Sequence, residues 1–422
     1  MSGLGWIHFS ETTHRNVLKV IDILSGGSSA IDELGIGVVR DAFSNELFAG
    51  VSTIMTRGRY FYTIPYLLID YLRNPSYRKD VTQYMKDEET KMMGEIIKNY
   101  LPNPQNQRII GYTVGLKNNK KNGRIVDRLF RNPSEIYWGG IRTFGIFKGS
   151  HSFAQLCYAI NQGKYIDVEK DNKDGSGDDE SDYESWLELF DVPYKKNWNR
   201  HQLELTLDEA EHFKNKIAEI ASGGFLSIVL SNNHFIEEFL QLKSFSDLPT
   251  TLLYKHLEDK HKHYAKVITT AIQFWQLLKG AHIRFNILLQ NRQHEENQKS
   301  FDNHWVEWQL SLQNFNWDSF DINFMWNVVG NHNKRIKQTI SYLFINDWID
   351  AIKNHKSEDE LDRIVKLQER RNKKDRSKLN DNHSVVYTEW VGISQLEYRL
   401  RNVQTIVRDI ANPLISYKTD NA

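Results

Sequence analysis

Residues 31–62, IDELGIGVVRDAFSNELFAGVSTIMTRGRYFY, decide how the rest of the chain is read. Asp32 stands where a helix N-cap belongs, VVRDAF carries a helical pattern, and Ala49-Gly50 supplies a stop. The Thr-Arg-Gly-Arg-Tyr run at 56–60 leads into an apolar, aromatic segment. This segment reads as a helix from about Thr53 to Leu72, with Pro65 a kink or break in its middle. No other stretch sets so many charged and backbone-special residues between two core-forming segments.

Working outward, the pattern is helical almost everywhere. Ser10 caps an amphipathic stretch that stops at Ser25-Gly26-Gly27, and residues 86–100 form another before Pro102-Asn103-Pro104. Pro133 at a first turn starts a helix through IYWGGIRTFGIF. Thr206 caps the helix that ends at Ser222-Gly223-Gly224. The longest periodic part runs from LPTTLLYKHL to about Leu289, and a polar insertion is expected at 294–303. The last helix, SQLEYRLRNVQTIVRDI, buries Leu396, Leu400, Val403, Val407 and Ile410 as one stripe. The expected fold is mainly α: two helical modules with a few short strands. The N-terminal module covers 1–165 and the Trp-rich C-terminal module 185–422, joined by an acidic flexible linker or loop at 166–184.

Composition narrows the class. The chain has 422 residues, 12% aromatic, with 8 prolines and one cysteine, Cys157. A lone cysteine forms no internal disulfide and no zinc–cysteine cluster, which suits a reducing cytoplasm. The start, MSGLGWIHFSE, has no basic n-region, and the apolar runs fall short of the ~20 residues that span a bilayer. A soluble protein with no membrane partner is expected.

Net charge is zero but unevenly spread. Residues 166–184 hold nine acids against two lysines. Residues 116–131 hold six basic residues, among them Lys117, Lys120, Lys121, Arg124 and Arg128. Residues 363–378 hold eight, among them Arg370, Arg371, Lys373, Lys374 and Arg376. Such runs are either solvated faces or phosphate-binding surfaces. Two short helices around KNNKKNG fit a winged-helix-like element in the N-terminal module, and equally any helix pair of an α-rich domain.

Catalytic patterns find little support. Gly35-x-Gly37 lacks the third glycine of a dinucleotide loop, since Arg40 stands there, and no Walker A lysine motif occurs. Aligning Gly177 as the central glycine of a calcium loop puts Tyr183 where a bidentate Glu is needed. His256, Asp259, His261 and His263 are the densest metal-ligand cluster, in a lysine-rich segment that reads more simply as an exposed face. Glu89-Thr90-Lys91 has a nuclease-like Glu-x-Lys form without a strand before it, and Cys157 reads as a buried thiol. No cofactor and no metal is expected.

Binding chemistry remains. Arg57 and Arg59 beside Tyr60 have the residue types that grip phosphate and stack a base. The competing reading is an internal network in which Asp32, Arg40, Asp41, Tyr398 and Arg399 join helices.

A series of motifs gives this choice a context. In order they are GWIHFS at 5–10, DELGIG at 32–37, Arg40-Asp41-Ala42, STIMTR at 52–57 and Tyr60-Phe61. IYWGG at 136–140, Leu205-Thr206, Glu209-Ala210, Tyr398-Arg399 and Asp409-Ile410 follow. Over nearly its whole length the chain resembles an uncharacterised bacterial family, known only as a domain of unknown function. It departs from the family's usual Asp at His8, Gln at Met55 and Pro at Ala49. The His8 departure weakens an enzyme reading built on the first motif. Such proteins are often encoded near helicases and nucleases of phage-defence islands. The resemblance therefore implies a non-catalytic component of a bacterial anti-phage system, binding DNA or scaffolding a helicase–nuclease assembly. The alternatives are a metal-dependent nuclease subunit and a purely protein-binding adaptor.

Overall fold

Asp32 caps the first described helix. Its carboxylate accepts from the Ile36 amide at 3.0 Å and the Gly37 amide at 2.7 Å, meeting two of the donors a helix start leaves unpaired. Helix α1 (Gly37–Leu47) follows. The computed structural model describes residues 32–74, 80–100, 108–111, 129–163, 186–220, 224–290, 295–380, 387 and 389–420. After α1 come α2 (Tyr60–Leu72), α3 (Val81–Tyr100), α4 (Pro133–Thr143), α5 (Phe153–Asn161), α6 (Leu207–Ile220), α7 (Phe225–Ser231) and α8 (Asn233–Gln241). The series ends with α9 (Leu252–Lys260), α10 (Lys262–Gln290), α11 (Glu295–Gln313), α12 (Ile322–His332), α13 (Ile340–Lys353), α14 (Glu358–Lys373) and α15 (Leu400–Asp420).

The protein is mainly α. Extended pairing among the described residues is a single antiparallel bridge between Phe147 and Phe190, short of the few strands expected. The capped helix from Ser10, His8, the winged-helix-like stretch around 117–123 and the acidic segment 166–184 lie outside the described residues.

The chain divides into two compact units, but not as sequential halves. Unit 1 is Met1–Glu46 with Ala265–Tyr398, and unit 2 is Leu47–Tyr264 with Arg399–Ala422. The boundary expected at 165–185 is replaced by an interleaving. The physical reason is that the last helix, α15, returns to pack on α6, while residues 32–34 are held by α14.

Unit 2 is organised around α2, buried on nearly every side from Tyr60 to Ile69. Such all-round burial marks a central helix. Phe61 lies 4.7 Å from Phe213, 5.0 Å from Tyr137 and 5.5 Å from Phe144 by ring centroids. The helix passes Pro65 unbroken, because packing from α3 and α4 holds it. It starts at Tyr60 rather than Thr53, since the backbone before it is bonded elsewhere.

Unit 1 is built on α10. Trp308 and Trp348 donate their indole N–H to the backbone carbonyls of Gln276 and Leu277 at 2.7 and 2.9 Å. Indoles buried in this way keep a polar partner. The expected polar insertion at 294–303 is instead the first part of α11. α13 and α14 pack against each other as a helical hairpin.

Candidate nucleic-acid interface

Helix α14 is fixed at both ends. Ser357 and Glu360 form a capping box at its start. Arg284 reaches across from α10, binding Glu358 through NH1 and Asp362 through Nε, each at 2.7 Å. At the far end, Gln368 donates to the Leu34 carbonyl at 2.6 Å. Asn372 donates to the carbonyls of Asp32 and Glu33 at 3.1 and 2.9 Å. Gly35 is required in this loop: its φ is +71°, and a Cβ there would come within 3.1–3.2 Å of Asn372 and Gln368.

Beneath this contact lies a buried charge cluster. Glu33 is 1% exposed and binds Lys378 Nζ at 2.5 Å and Lys373 Nζ at 3.2 Å. Glu369, fully buried, accepts from the Ser377 hydroxyl and from the Lys378 amide at 2.6 Å. Burial pushes the Glu369 carboxyl up, against these hydrogen bonds. Two lysines of the basic run are therefore engaged internally, Lys373 among them.

The other six basic residues, Arg363, Lys366, Arg370, Arg371, Lys374 and Arg376, are exposed. Among the described residues none of them has an acidic partner within 4.0 Å. At about 100° per residue, Arg363 and Arg370 line one helix face, with Lys366 and Arg371 flanking it, and Lys374 and Arg376 follow just past the helix end. Half-exposed Leu367 lies between them, and Asp375 is the one exposed acid from 363 to 376. A helix dipole accounts for basic residues in a last turn only. Cations that begin three turns earlier exceed that need.

Arg57 and Arg59 face inward, in unit 2. Arg57 Nε donates to Asp409 Oδ2 at 2.9 Å, and the Gly58 amide donates to the same oxygen at 2.7 Å. Burial raises the Asp409 pKa despite Arg57; burial also opposes the Arg57 charge, but Asp409 holds its pKa up. Tyr137 Oη accepts the Thr56 and Arg57 amides at 2.6 and 2.9 Å. Arg59, 1% exposed, pairs with Glu209, whose other oxygen accepts from the Tyr66 hydroxyl at 2.9 Å. Burial lowers the Arg59 pKa to about 10, still far above neutrality. The Thr-Arg-Gly-Arg-Tyr run is thus a largely buried polar network, with its two guanidiniums paired to Asp409 and Glu209.

The remaining network residues are dispersed. Asp32 is a helix cap, and Arg40 pairs with its neighbour Asp41 at 3.0 Å, both partly exposed. Tyr398 belongs to unit 1, where its hydroxyl donates to the Ala271 carbonyl at 2.6 Å and its ring lies edge-on to Phe43. Arg399 belongs to unit 2 and donates to the Val51 carbonyl at 2.7 Å. Both have left-handed backbones, φ 44° and 67°, at the point where the chain passes from one unit to the other. Lys117, Lys120, Lys121, Arg124 and Arg128 lie outside the described residues.

The nuclease-like acids are structural. Glu89 accepts from the Ser134 amide at 2.7 Å and its hydroxyl at 3.0 Å, so α3 caps the start of α4. Burial pushes its pKa up to about 8 and the Cys157 thiol up to about 12. Among the described residues no three His, Cys, Asp or Glu side chains are placed to hold a metal ion. Nor is any helix there long and apolar enough to cross a membrane. Sequence reasoning missed Glu33, Glu209 and Asp409 as partners. Each stood inside a quoted motif, with nothing local to say which arginine or lysine it meets.

A family model described as a family of unknown function (DUF6361) matches residues 1–411, and the chain belongs to that family. No curated protein and no solved structure matches it significantly.

Proposed function

From this family membership as a premise, we propose that the chain is a non-catalytic, DNA-contacting component of a bacterial anti-phage assembly. The helicases and nucleases that the family's gene neighbourhoods suggest are its protein partners. The observation that carries the DNA contact is the set of six exposed cations on and just after α14 that have no acidic partner among the described residues. From Arg363 to Arg371 the helix rises about 12 Å. That length of duplex axis carries roughly seven phosphate charges, at one per about 1.7 Å. Because both ends of α14 are fixed, the cations need little ordering when they bind. The basic segment 116–131 is a second contact in this reading.

The test is fluorescence anisotropy with duplex DNA across a salt series. Affinity is expected to fall with a log–log slope of about −0.9 per phosphate contacted. The triple variant Arg363→Glu, Arg370→Glu, Lys374→Glu should lose most binding while melting like the parent. A salt-insensitive or absent interaction sinks the DNA half of the proposal. In that case a stable complex with a genetic neighbour supports the adaptor reading. Cleavage of plasmid or single-stranded DNA with magnesium or manganese, abolished by Asp41→Ala in a folded protein, overturns the non-catalytic half.

A further inference from the structure

We propose that unit 2 carries a separate anion site, a cleft at the C-terminal end of α4 that binds a phosphate-type oxyanion through Arg142 and Lys148. The cleft holds ≈ 380 Å³ and is lined by Gly139, Arg142, Thr143, Gly145, Lys148 and Gly149, together with Phe147. Two of these side chains are cations and none is a carboxylate. The three glycines leave the backbone uncovered, so a compact ligand can approach closely.

The charge balance around the cleft favours an anion. Arg142 is exposed, and among the described residues no acid lies within ion-pair distance of it. The acid nearest Lys148 is Asp191, 3.7 Å away, and the lysine side chain is 56% exposed. Asp191 is already engaged by Lys216 at 2.5 Å and by His212 at 3.2 Å. Burial works against the Asp191 charge, but these hydrogen bonds hold its pKa at about 2. Lys216 is itself shared with Glu219 at 3.1 Å, so Arg142, Lys148 and Lys216 face two acids and one positive charge is left over at the cleft, with Arg142 the cation that no described acid meets.

The helix end itself works weakly against an anion, since a C-terminus carries partial negative charge. Its carbonyls are covered, however. Gly140, Ile141 and Arg142 accept the amides of Phe144, Ile146 and Gly145 at 2.9–3.0 Å, and Gly139 accepts from the Thr143 hydroxyl at 2.9 Å. Binding must then come from the two side-chain cations. A guanidinium fork matches the oxygens of phosphate, and two positive charges favour a dianion over a monoanion. Phe147 is 1% exposed, so no ring face is open for a base to stack upon. The feature recognised is the phosphoryl group.

Isothermal titration of the full chain with inorganic phosphate and with pyrophosphate, at constant ionic strength, tests this. Saturable one-site binding is expected, tighter for pyrophosphate. The Arg142→Gln, Lys148→Gln double variant should weaken it at least about tenfold, a loss readily resolved in a titration. Either single variant gives a partial loss and serves as the readout should the double variant melt early. Lys279→Gln, at an exposed cation of the other unit, leaves the titration unchanged. Heats that never saturate, or binding that survives both single substitutions at full strength, overturn the proposal.

Discussion

Arg59 and Glu209 form an ion pair whose side chains are 1% and 4% exposed, 150 residues apart in sequence. Glu209 also accepts from Tyr66 and from the Thr206 amide, so one carboxylate joins α2, the start of α6 and a guanidinium. Removing one member of a buried pair leaves the other charge uncompensated, at about 3–5 kcal/mol. Arg59→Met and Glu209→Gln should each lower the stability of unit 2 by about that amount. Denaturant midpoints at constant slope are the measurement. A loss under about 1 kcal/mol, typical of surface pairs, contradicts the buried network.

Glu33→Gln separates anchoring from binding. The substitution leaves Lys373 and Lys378 without their buried partner and should destabilise unit 1 by about 3–5 kcal/mol. The exposed cations of α14 are untouched and the net charge rises by one. Duplex affinity of the folded fraction should therefore hold or strengthen. Weakened affinity in a protein that remains folded would assign Glu33 to the interface itself.

Glu89 makes stability depend on pH. Its folded pKa of about 8 lies above its ordinary 4.5, so folding favours the protonated acid. The contribution is fully present below about 4.5 and is lost as pH rises through about 8. Each pH unit in that window removes at most about 1.4 kcal/mol. Glu89→Gln cannot ionise, so its stability relative to the parent should improve from pH 5 to about 8 and then level off. Chemical denaturation at three pH values reads this, and a constant difference rejects it.

The adjacent glycines of IYWGG should behave oppositely. A Cβ on Gly139 meets nothing within 4 Å, so Gly139→Ala should stabilise helix α4 by about 0.5–1 kcal/mol. A Cβ on Gly140 would lie 2.3 Å from the Gly50 carbonyl oxygen and 2.8 Å from Phe61. Gly140→Ala should cost about 1–3 kcal/mol through overpacking. Melting temperatures of the two variants should move in opposite directions.

What was legible in the sequence was local. Asp32, Pro133 and Thr206 mark real helix starts because cap chemistry involves residues three to five positions apart. The stripe Leu400, Val403, Val407 and Ile410 is buried as its spacing requires. Errors arose where a distant partner overrides local preference. The expected helix from Thr53 begins at Tyr60 because Tyr137 and Asp409 capture the amides of residues 56–58. The last helix begins at Leu400, since Tyr398 and Arg399 are left-handed. In the basic run, composition showed eight cations. Only Glu33, more than 330 residues away, determines that Lys373 and Lys378 turn inward.

The bond from Gly58 to Asp409 spans 351 residues, and this sets a clock on synthesis. At roughly 5–20 residues per second, a ribosome needs about 20–70 s to travel from one partner to the other. Glu33 waits almost as long for Lys373 and Lys378. Neither unit can close until its late segment has been made, because each combines an early segment with a late one. Until then α6 lacks the α15 helix that packs on it.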